Sequence, residues 1–223
     1  MLGPPGSGKG TQAHIISEII GVPVVTTGDL LRDAVTRDTD HGRIANKYME
    51  RGELVPDKIV NMVVQERLSM PDVKEGFILD GFPRSTVQAD ALDEILAEKC
   101  LKLDYVIHVN LDDETIVTRL SKRRSCLNCG AVYHLESKKP KKRGVCDLCG
   151  SKLVLRDDDK PDVIRHRIEV YREKTRPLLE RYKRISIIRE VPGDTPLEKL
   201  PELLRKILTK SCNLSYGGTP YAT

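Results

Sequence analysis

The sequence predicts an α/β fold in which a parallel sheet carries helices on both faces. Two observations favour this class: short apolar segments with the character of buried strands alternate with amphipathic segments at helical spacing, and a glycine-rich turn opens the first helix. A third observation, one cysteine-rich stretch that breaks the alternation, adds a small insertion. A chain of 223 residues is long enough for one core with insertions or for two small domains.

The elements are predicted in a regular order along the chain. Helices, or turns that lead into helices, are expected at 10–20, 26–35, 58–68, 91–99, 113–124, 163–184 and 195–208. Strands are expected at 22–25, 76–84, 105–111 and 185–191. The long helix is interrupted near Pro177, and Thr195 has capping-box spacing to Glu198, with Pro196 at the first helical position. Residues 210–223 lack periodicity and are expected to be disordered.

Composition narrows the class of protein. Hydrophobic residues make up 39% and charged residues 31% of the chain, as in globular proteins with a well-solvated surface. No apolar run approaches the roughly 20 residues that span a bilayer, and the start does not resemble a secretory signal. The net charge of +4 does not by itself imply a polyanionic partner. We expect a cytoplasmic monomer, with neither a membrane nor a nucleic acid among its partners.

The turn GPPGSGKGT at residues 3–11 is a candidate phosphate-binding loop. Its glycines let backbone N–H groups turn inward around phosphate oxygens, and Lys9 adds a cation at the β- and γ-phosphates. A flexible Gly/Pro turn is the alternative. Gly10 stands where the general pattern has Ser or Thr, and Thr11 follows one residue later.

The chain begins close to this loop. Only Met1 and Leu2 precede it, whereas a supporting strand usually has about five residues. We expect roughly four or more residues, and any targeting segment, to precede Met1 in the native protein.

Periodicity points to buried arginines. Arg167 lies on the apolar side of its predicted helix, near Val163 and Val170. Arg119 and Arg123 have the same placement in the helix predicted at 113–124. A charge in such a position is costly unless it is paired, so we expect an anionic ligand or a structural ion pair.

Four of the six cysteines have the spacing of a zinc ribbon. Cys126 and Cys129 form one C-x-x-C pair, and Cys146 and Cys149 form the second after sixteen intervening residues. Two disulfides are the alternative. With all four ligand positions taken by sulfur, the zinc ion would be structural.

The motifs together resemble the adenylate kinase family. GPPGSGKGTQA at 3–13 has that family's Gly-Lys-Gly-Thr form, and TTGDLLR at 26–32 and GELVPD at 52–57 match its nucleoside-monophosphate segments. LDGFPRSTVQAD at 79–90 is its most specific signature, and RLSKRR, VYH and LRDDDKPDVIRHR follow in the family's order to about residue 208. The resemblance implies a P-loop core and reversible transfer of the terminal phosphoryl group of Mg-ATP to AMP, giving two ADP.

The resemblance also implies site residues. The expected ATP-binding residues are Gly6, Ser7, Gly8, Lys9, Gly10, Thr11, Arg119, Arg123, Val132, Tyr133 and Thr195. The expected AMP-binding residues are Thr27, Arg32, Glu53, Leu54, Val55, Gly81, Phe82, Pro83, Arg84, Gln88, Arg156 and Arg167. The expected catalytic residues are Lys9, Arg84, Arg123, Arg156 and Arg167.

Four aspartates complete the expected site. Asp80 and Asp29 are expected to organise the water ligands of Mg²⁺, which keeps much of its hydration shell. Asp158 and Asp159 either lock a closed lid or lie in solvent.

The expected organisation has three parts. A core at 1–121 contains an AMP-binding flap at 26–55, a zinc lid covers 122–159, and 160–209 returns to the core before the tail at 210–223. The alternatives are a zinc-ribbon nucleic-acid-binding module on a P-loop ATPase, or a kinase that takes UMP or CMP or uses GTP. Gln88 and Thr27 favour AMP as acceptor.

Overall fold

The fold is described by a computed structural model for residues 1–209. The disorder predicted for residues 210–223 lies outside the described residues. The helices are α1 (Lys9–Ile20), α2 (Thr27–Thr36), α3 (Asp40–Met49), α4 (Asp57–Arg67), α5 (Thr86–Glu98), α6 (Asp113–Ser121), α7 (Pro161–Val170), α8 (Leu178–Arg184) and α9 (Leu200–Thr209). The strands are β1 (Val24–Thr26), β2 (Ile78–Asp80), β3 (Val106–Asn110), β4 (Arg123–Cys126), β5 (Val132–His134), β6 (Leu153–Val154) and β7 (Ile188–Pro192).

The core sheet consists of two parallel strand pairs joined by the first residues of the chain. β1 pairs with β2, and β3 pairs with β7. Leu2 donates from its backbone N–H to Ile107 O and accepts from Val109 N, both at 2.8 Å. The Met1 nitrogen donates to Leu79 O at 2.7 Å. Residues 1 and 2 therefore lie between β2 and β3, and the loop that follows them starts at the carboxyl ends of both strands.

Helices cover both faces of this sheet, as predicted. Alternate side chains of β3 point to opposite faces, so Ile107 packs with Ala13 and Leu204 from α1 and α9. Its neighbour Val106 packs with Leu178 from α8 on the other face. The α/β class with a parallel sheet is thus confirmed. No helix within residues 1–209 is long and apolar enough to cross a membrane.

Helices α2, α3 and α4 follow β1 and pack against one another and against the core. Their apolar side chains share a cluster with β2 and α5, which includes Leu31, Ala45, Val60, Leu79 and Leu92. α3 was not among the predicted elements. Its only clear sequence signal is Thr39, whose hydroxyl caps the helix by accepting from Gly42 N at 3.0 Å.

The predicted helix at 113–124 is wrong in its last turn. α6 ends at Ser121, and Arg123 begins β4 instead of continuing the helix. β4 is held by antiparallel pairing with β5 and β6. Both strands come later in the chain, so the helical periodicity of residues 113–124 contains no information about this pairing. Arg123 therefore belongs to the small three-stranded sheet of the insertion, and only Arg119 has the predicted helical position.

Two predictions about the last third of the chain have different outcomes. The interruption near Pro177 is confirmed, because a π-turn at Tyr171–Thr175 separates α7 from α8, with Arg176 N bonded to Tyr171 O at 2.9 Å. The capping box is wrong, because the Thr195 hydroxyl donates back to Pro192 O at 2.8 Å. A short 3₁₀ turn at Leu197–Lys199 follows Pro196, and α9 starts only at Leu200.

Candidate active site and cysteine cluster

The loop before α1 packs tightly against its surroundings. A side chain at Gly3 would place its Cβ 2.3 Å from Val109 O, and one at Gly6 would meet Leu120 Cγ at 2.7 Å. Both glycines have positive φ, at 146° and 73°. The loop is therefore pressed onto β3 and α6, and it leaves the N-terminus of α1 facing the carboxyl edge of the sheet.

Lys9 is the cation of this loop. Its ammonium group donates to Pro4 O at 2.8 Å. Burial lowers the pKa of Lys9 from 10.5 to about 8; Asp80 opposes the shift, while Arg84, Arg167 and Arg123 add to it. Lys9 is therefore buried at a place where the nearby carboxylate does not fully compensate for the loss of water and for the neighbouring cations.

Three polar atoms near the sheet edge are buried without a hydrogen-bond partner among the described residues. They are Ser7 Oγ in the loop, Gln12 Oε1 in α1 and Thr27 Oγ1 at the start of α2. Buried polar atoms are nearly always paired in folded proteins. Ser7 and Thr27 were both predicted from the sequence to contact nucleotide, and both have unused hydrogen-bonding capacity.

Arg123 and Arg167 meet at two neighbouring aspartates, the half-buried Asp158 and the buried Asp159. Arg123 forms a bidentate ion pair with Asp159 at 2.7 and 2.6 Å. Arg167 donates to Asp158 O at 2.8 Å and to Asp159 Oδ1 at 3.2 Å. Asp159 is completely buried, so the alternative in which these aspartates lie in solvent is wrong. The carboxylate partner expected for Arg167 is present.

Arg84 and Arg156 approach the same region from other elements. Arg84 follows β2 and donates through Nε to Gly81 O at 2.8 Å, while its own carbonyl accepts from the Thr175 hydroxyl at 2.8 Å. Arg156 follows β6 and donates to Ser125 Oγ at 2.7 Å. Burial and, after it, repulsion from the neighbouring cations Arg32 and Arg123 together lower the pKa of Arg156 to about 9.

The site as a whole has a surplus of positive charge. Burial is the first cause that lowers the pKa values of Arg84 and Arg167, and each also experiences repulsion from other arginines. The cations that influence one another are Lys9, Arg32, Arg84, Arg123, Arg156 and Arg167, against the carboxylates Asp80, Asp158 and Asp159. A polyanionic ligand would relieve this repulsion.

The remaining residues expected on the ATP side are divided between core and insertion. Arg119 donates to Gly193 O at 2.8 Å, which ties α6 to the turn after β7, close to Thr195. Tyr133 is buried inside the insertion, where its hydroxyl accepts from Asp147 N at 2.8 Å and lies 3.6 Å from Cys146 Sγ. Val132 is exposed beside it. The Tyr133 side chain is thus part of the insertion's own core.

Two of the residues expected on the AMP side, Thr27 and Arg32, belong to α2. Arg32 pairs with Asp29 at 2.6 Å, and Val55 is buried in the apolar cluster with Phe82. Glu53 pairs with Arg51 at 3.2 Å. Leu54 lies between Glu53 and Val55, and Gly81 and Pro83 belong to the turn before Arg84.

Gln88 is buried, and its side chain forms two hydrogen bonds with protein groups that the sequence did not reveal. Its Oε1 accepts from Arg84 N at 2.7 Å, and its Nε2 donates to Asp57 Oδ1 at 2.8 Å. Asp57 also accepts from the Ser85 hydroxyl at 2.9 Å. Asp57 ends the GELVPD segment, but nothing in the spacing connects it with Gln88, and Thr175 likewise has no signal that points to Arg84.

The two candidate magnesium residues differ in their surroundings. Asp80 is buried at the end of β2, and a Cβ at Gly10 would lie 3.3 Å from its Oδ2. The absence of a side chain at Gly10 therefore gives Asp80 room beside the loop. Asp29 is more than half exposed and already paired with Arg32. The two aspartates therefore differ in availability, because Asp29 would have to leave Arg32 before it could bind another group.

The four predicted metal-ligating cysteines converge. All four Sγ atoms lie within 4.8 Å of one another, with Cys126 and Cys149 at 3.4 Å and Cys129 and Cys146 at 3.5 Å. Zn–S bonds of about 2.3 Å in a tetrahedron place sulfurs about 3.8 Å apart, whereas a disulfide needs about 2.05 Å. The residues therefore fit a Cys₄ zinc site better than two disulfides.

Backbone hydrogen bonds shape this cysteine cluster locally. In each C-x-x-C pair the following glycine donates to the first cysteine, with Gly130 N to Cys126 O at 3.0 Å and Gly150 N to Cys146 O at 2.9 Å. Hydrogen bonds from Ser151 and Asn128 lower the pKa of Cys149 to about 5. Desolvation and the hydrogen bonds with Cys146, Cys149 and Cys126 raise the pKa of Cys129 to about 12. Without a metal ion the cluster therefore favours the thiolate unequally among its members, and a bound metal ion would favour it at all four.

Comparisons with known proteins agree with these features. The sequence model of the family described as adenylate kinase matches residues 1–187. The adenylate kinase of Archaeoglobus fulgidus is 49% identical over 209 residues, which are 94% of this chain and 96% of the relative. Those of a Geobacillus species and of Methanocella arvoryzae are 46% and 44% identical, over 93% and 94% of this chain and 96% and 97% of theirs.

Proposed function

This chain belongs to the adenylate kinase family, and from that premise we propose how its residues move a phosphoryl group between nucleotides. The enzyme is an ATP:AMP phosphotransferase that converts ATP and AMP into two ADP. Catalysis of phosphoryl transfer requires mainly the positioning of the reactants, the neutralisation of charge and the exclusion of water. The assignment of these tasks to residues is the proposal.

On the donor side, Gly6 to Thr11 hold the ATP phosphates. The supporting observations are the N-terminus of α1, which favours anions, the unused hydroxyl of Ser7 and the displaced pKa of Lys9. Arg119 and Arg123 join from α6 and β4. Val132, the Tyr133 backbone and Thr195 border the remainder of the nucleotide.

On the acceptor side, Arg84 binds the AMP phosphate, with Arg32, Arg156 and Arg167 around it. Thr27 offers its unpartnered hydroxyl at the start of α2, and residues 53–55 pack beside the ribose and base. Gln88 contacts the adenine edge with the hydrogen-bonding capacity that Arg84 N and Asp57 leave unused.

The transferring phosphoryl group lies between the two sets of cations. Mg²⁺ that enters with ATP supplies further neutralisation of the phosphate oxygens. Asp80, beside Gly10, and Asp29 are the residues that would hold water ligands of this ion. Lys9, Arg84, Arg123, Arg156 and Arg167 stabilise the charge that develops on the transferring group.

The cysteine cluster has a structural role in this proposal. Zinc bound to Cys126, Cys129, Cys146 and Cys149 has no open position for catalysis. β4 carries Arg123 at one end and Cys126 at the other, and β6, which pairs with β4, leads directly to Arg156. The metal therefore fixes the small sheet that presents two catalytic arginines.

A single observation carries the proposal: Lys9 and the arginines converge beside the phosphate loop with too few carboxylates to neutralise them. We expect the enzyme to act as a cytoplasmic monomer on ATP, AMP and ADP. A coupled assay with ATP or GTP as donor and AMP, UMP or CMP as acceptor tests it, and ATP with AMP should give the highest kcat/KM. Saturable RNA binding without ATP–AMP exchange would instead favour the nucleic-acid-binding alternative.

A further inference from the structure

We propose that Asp57 is a positioning residue that fixes the orientation of the Gln88 side-chain amide and thereby decides which nucleobases the acceptor site takes. The inference rests on the proposed function, in which Gln88 contacts the acceptor base. It concerns a residue outside that contact, at the start of α4.

The Gln88 amide is held at both of its ends. Only 1% of Gln88 is exposed. Its carbonyl oxygen accepts from the backbone N–H of Arg84 at 2.7 Å, and its amide nitrogen donates to Asp57 Oδ1 at 2.8 Å. The Ser85 hydroxyl donates to the same Asp57 oxygen at 2.9 Å and accepts from Gln88 N at 3.1 Å. This ring of contacts has one self-consistent assignment of donors and acceptors.

The chemistry of the two partners forbids the flipped amide. A backbone N–H can only donate, and a carboxylate can only accept. Rotating the amide by 180° would set its NH₂ group against Arg84 N–H and its oxygen against the Asp57 carboxylate. Both contacts would be repulsive and would leave buried groups unpaired. The orientation therefore follows from the identities of its neighbours.

A fixed amide can recognise one of two patterns on a base. Gln88 has one lone pair and one N–H left after its protein contacts. In the fixed orientation these match a base with an amino group next to an unprotonated ring nitrogen, which is the edge of adenine and cytosine. Hypoxanthine, guanine and uracil present the reverse, a carbonyl next to a ring N–H. A glutamine free to rotate would accept both patterns.

The sharpest test compares AMP with IMP as acceptors, because the two purines differ only at this edge. Wild-type enzyme should prefer AMP in kcat/KM by about 100-fold or more, since a site built to hydrogen-bond one edge leaves polar groups unpaired against the other. In Asp57→Asn, residue 57 can turn its own amide to donate to or accept from Gln88, so that only the Arg84 N–H still disfavours the flipped orientation. The AMP/IMP ratio should fall about tenfold, chiefly because kcat/KM for IMP rises.

Asp40→Asn is the matched control. Asp40 is also the first residue of a helix, α3, and its side chain is exposed. The substitution removes the same charge from a helix N-terminus without touching Gln88, so the AMP/IMP ratio should stay at the wild-type value.

A second variant guards against misfolding. Asp57→Ser removes the carboxylate but keeps a residue type that is favoured at helix starts, and it should also lower the ratio. An unchanged ratio in the folded variants, or an equal loss of kcat/KM for AMP and IMP, would overturn the role of Asp57. Failure of the proposed function would look different, because wild-type enzyme would then make no ADP from ATP and AMP.

Discussion

Two groups of side chains each converge on a point, but the chain assembles them in different ways. One group is the cysteine cluster, and the other consists of the cations Lys9, Arg32, Arg84, Arg123, Arg156 and Arg167. The cysteines come from two turns within residues 126–149, and their local hydrogen bonds already point the thiols inward. The cations come from positions between 9 and 167 and meet only at the carboxyl edge of the folded sheet. One centre is a local motif, whereas the other is a product of the whole topology.

The two centres also differ in how they are neutralised. Four thiolates can be neutralised by one bound metal ion, which then belongs to the folded protein. The cations keep a surplus of charge that Asp80, Asp158 and Asp159 do not balance. Losing a cysteine should therefore cost stability, and losing a cation should cost function.

Removing Lys9 should give the largest effect. We expect Lys9→Met to lower kcat by about 10²–10³-fold, because the charge lies where the transferring phosphoryl oxygens develop charge. Its melting temperature should not fall, since the buried ammonium is destabilised by its surroundings. Lys47→Met, in the last turn of α3, is the exposed control. Near-normal turnover of Lys9→Met in a coupled assay would contradict the phosphate-loop assignment.

Substitution of Arg84 should affect the KM for AMP and the KM for ATP differently. We expect Arg84→Ala to raise the KM for AMP by about 10- to 100-fold, as the loss of a charged hydrogen bond would, and to change the KM for ATP much less. The exposed Arg37→Ala, which loses an ion pair with Asp33, serves as control. Equal increases in both Michaelis constants would argue against an acceptor-side role.

The same contrast explains what could be predicted from the sequence. The spacing of Cys126, Cys129, Cys146 and Cys149 was sufficient to predict their convergence, because each pair is a local turn. Helical periodicity placed Arg167 correctly but assigned Arg123 to a helix, because β4 exists only through pairing with β5 and β6. The contacts of Asp57 with Gln88 span 31 residues, so nothing in the local sequence could reveal them.

Substitution of a cysteine in the cluster should affect the stability of the protein more than its activity. Metal analysis should find about one zinc ion per chain. Cys129→Ser should lose the ion and lower the melting temperature by about 5 °C, which corresponds to ~2 kcal/mol in a chain of this length. Its activity should fall less than that of Lys9→Met, because in the proposed function a zinc ion would only position Arg123 and Arg156. Cys100→Ser, at an exposed cysteine outside the cluster, should change neither. A metal-free protein with full stability and activity would refute a structural zinc site.

The two centres should also respond to opposite ends of the pH scale. Acid protonates thiolates and releases a bound metal, whereas base removes the charge of Lys9. The pKa of Lys9 is about 8 in the folded protein against an ordinary 10.5, so the unfolded chain binds more protons between these values. This contribution to stability therefore rises with pH across that window. The positive charge that is proposed to bind the ATP phosphates is lost as the pH rises through about 8.

The smallest expected effect is the uptake of protons when ATP binds, which would measure the lowered pKa of Lys9 directly. ATP phosphates beside Lys9 should raise its pKa again, so binding at pH 8.5 should take up roughly three-quarters of a proton, and at pH 7 about a tenth. Calorimetry of a non-hydrolysable ATP analogue in two buffers of different ionisation enthalpy gives this number. In Lys9→Met the uptake at pH 8.5 should be mostly lost. Equal uptake in both proteins would mean that Lys9 is fully charged before ATP arrives.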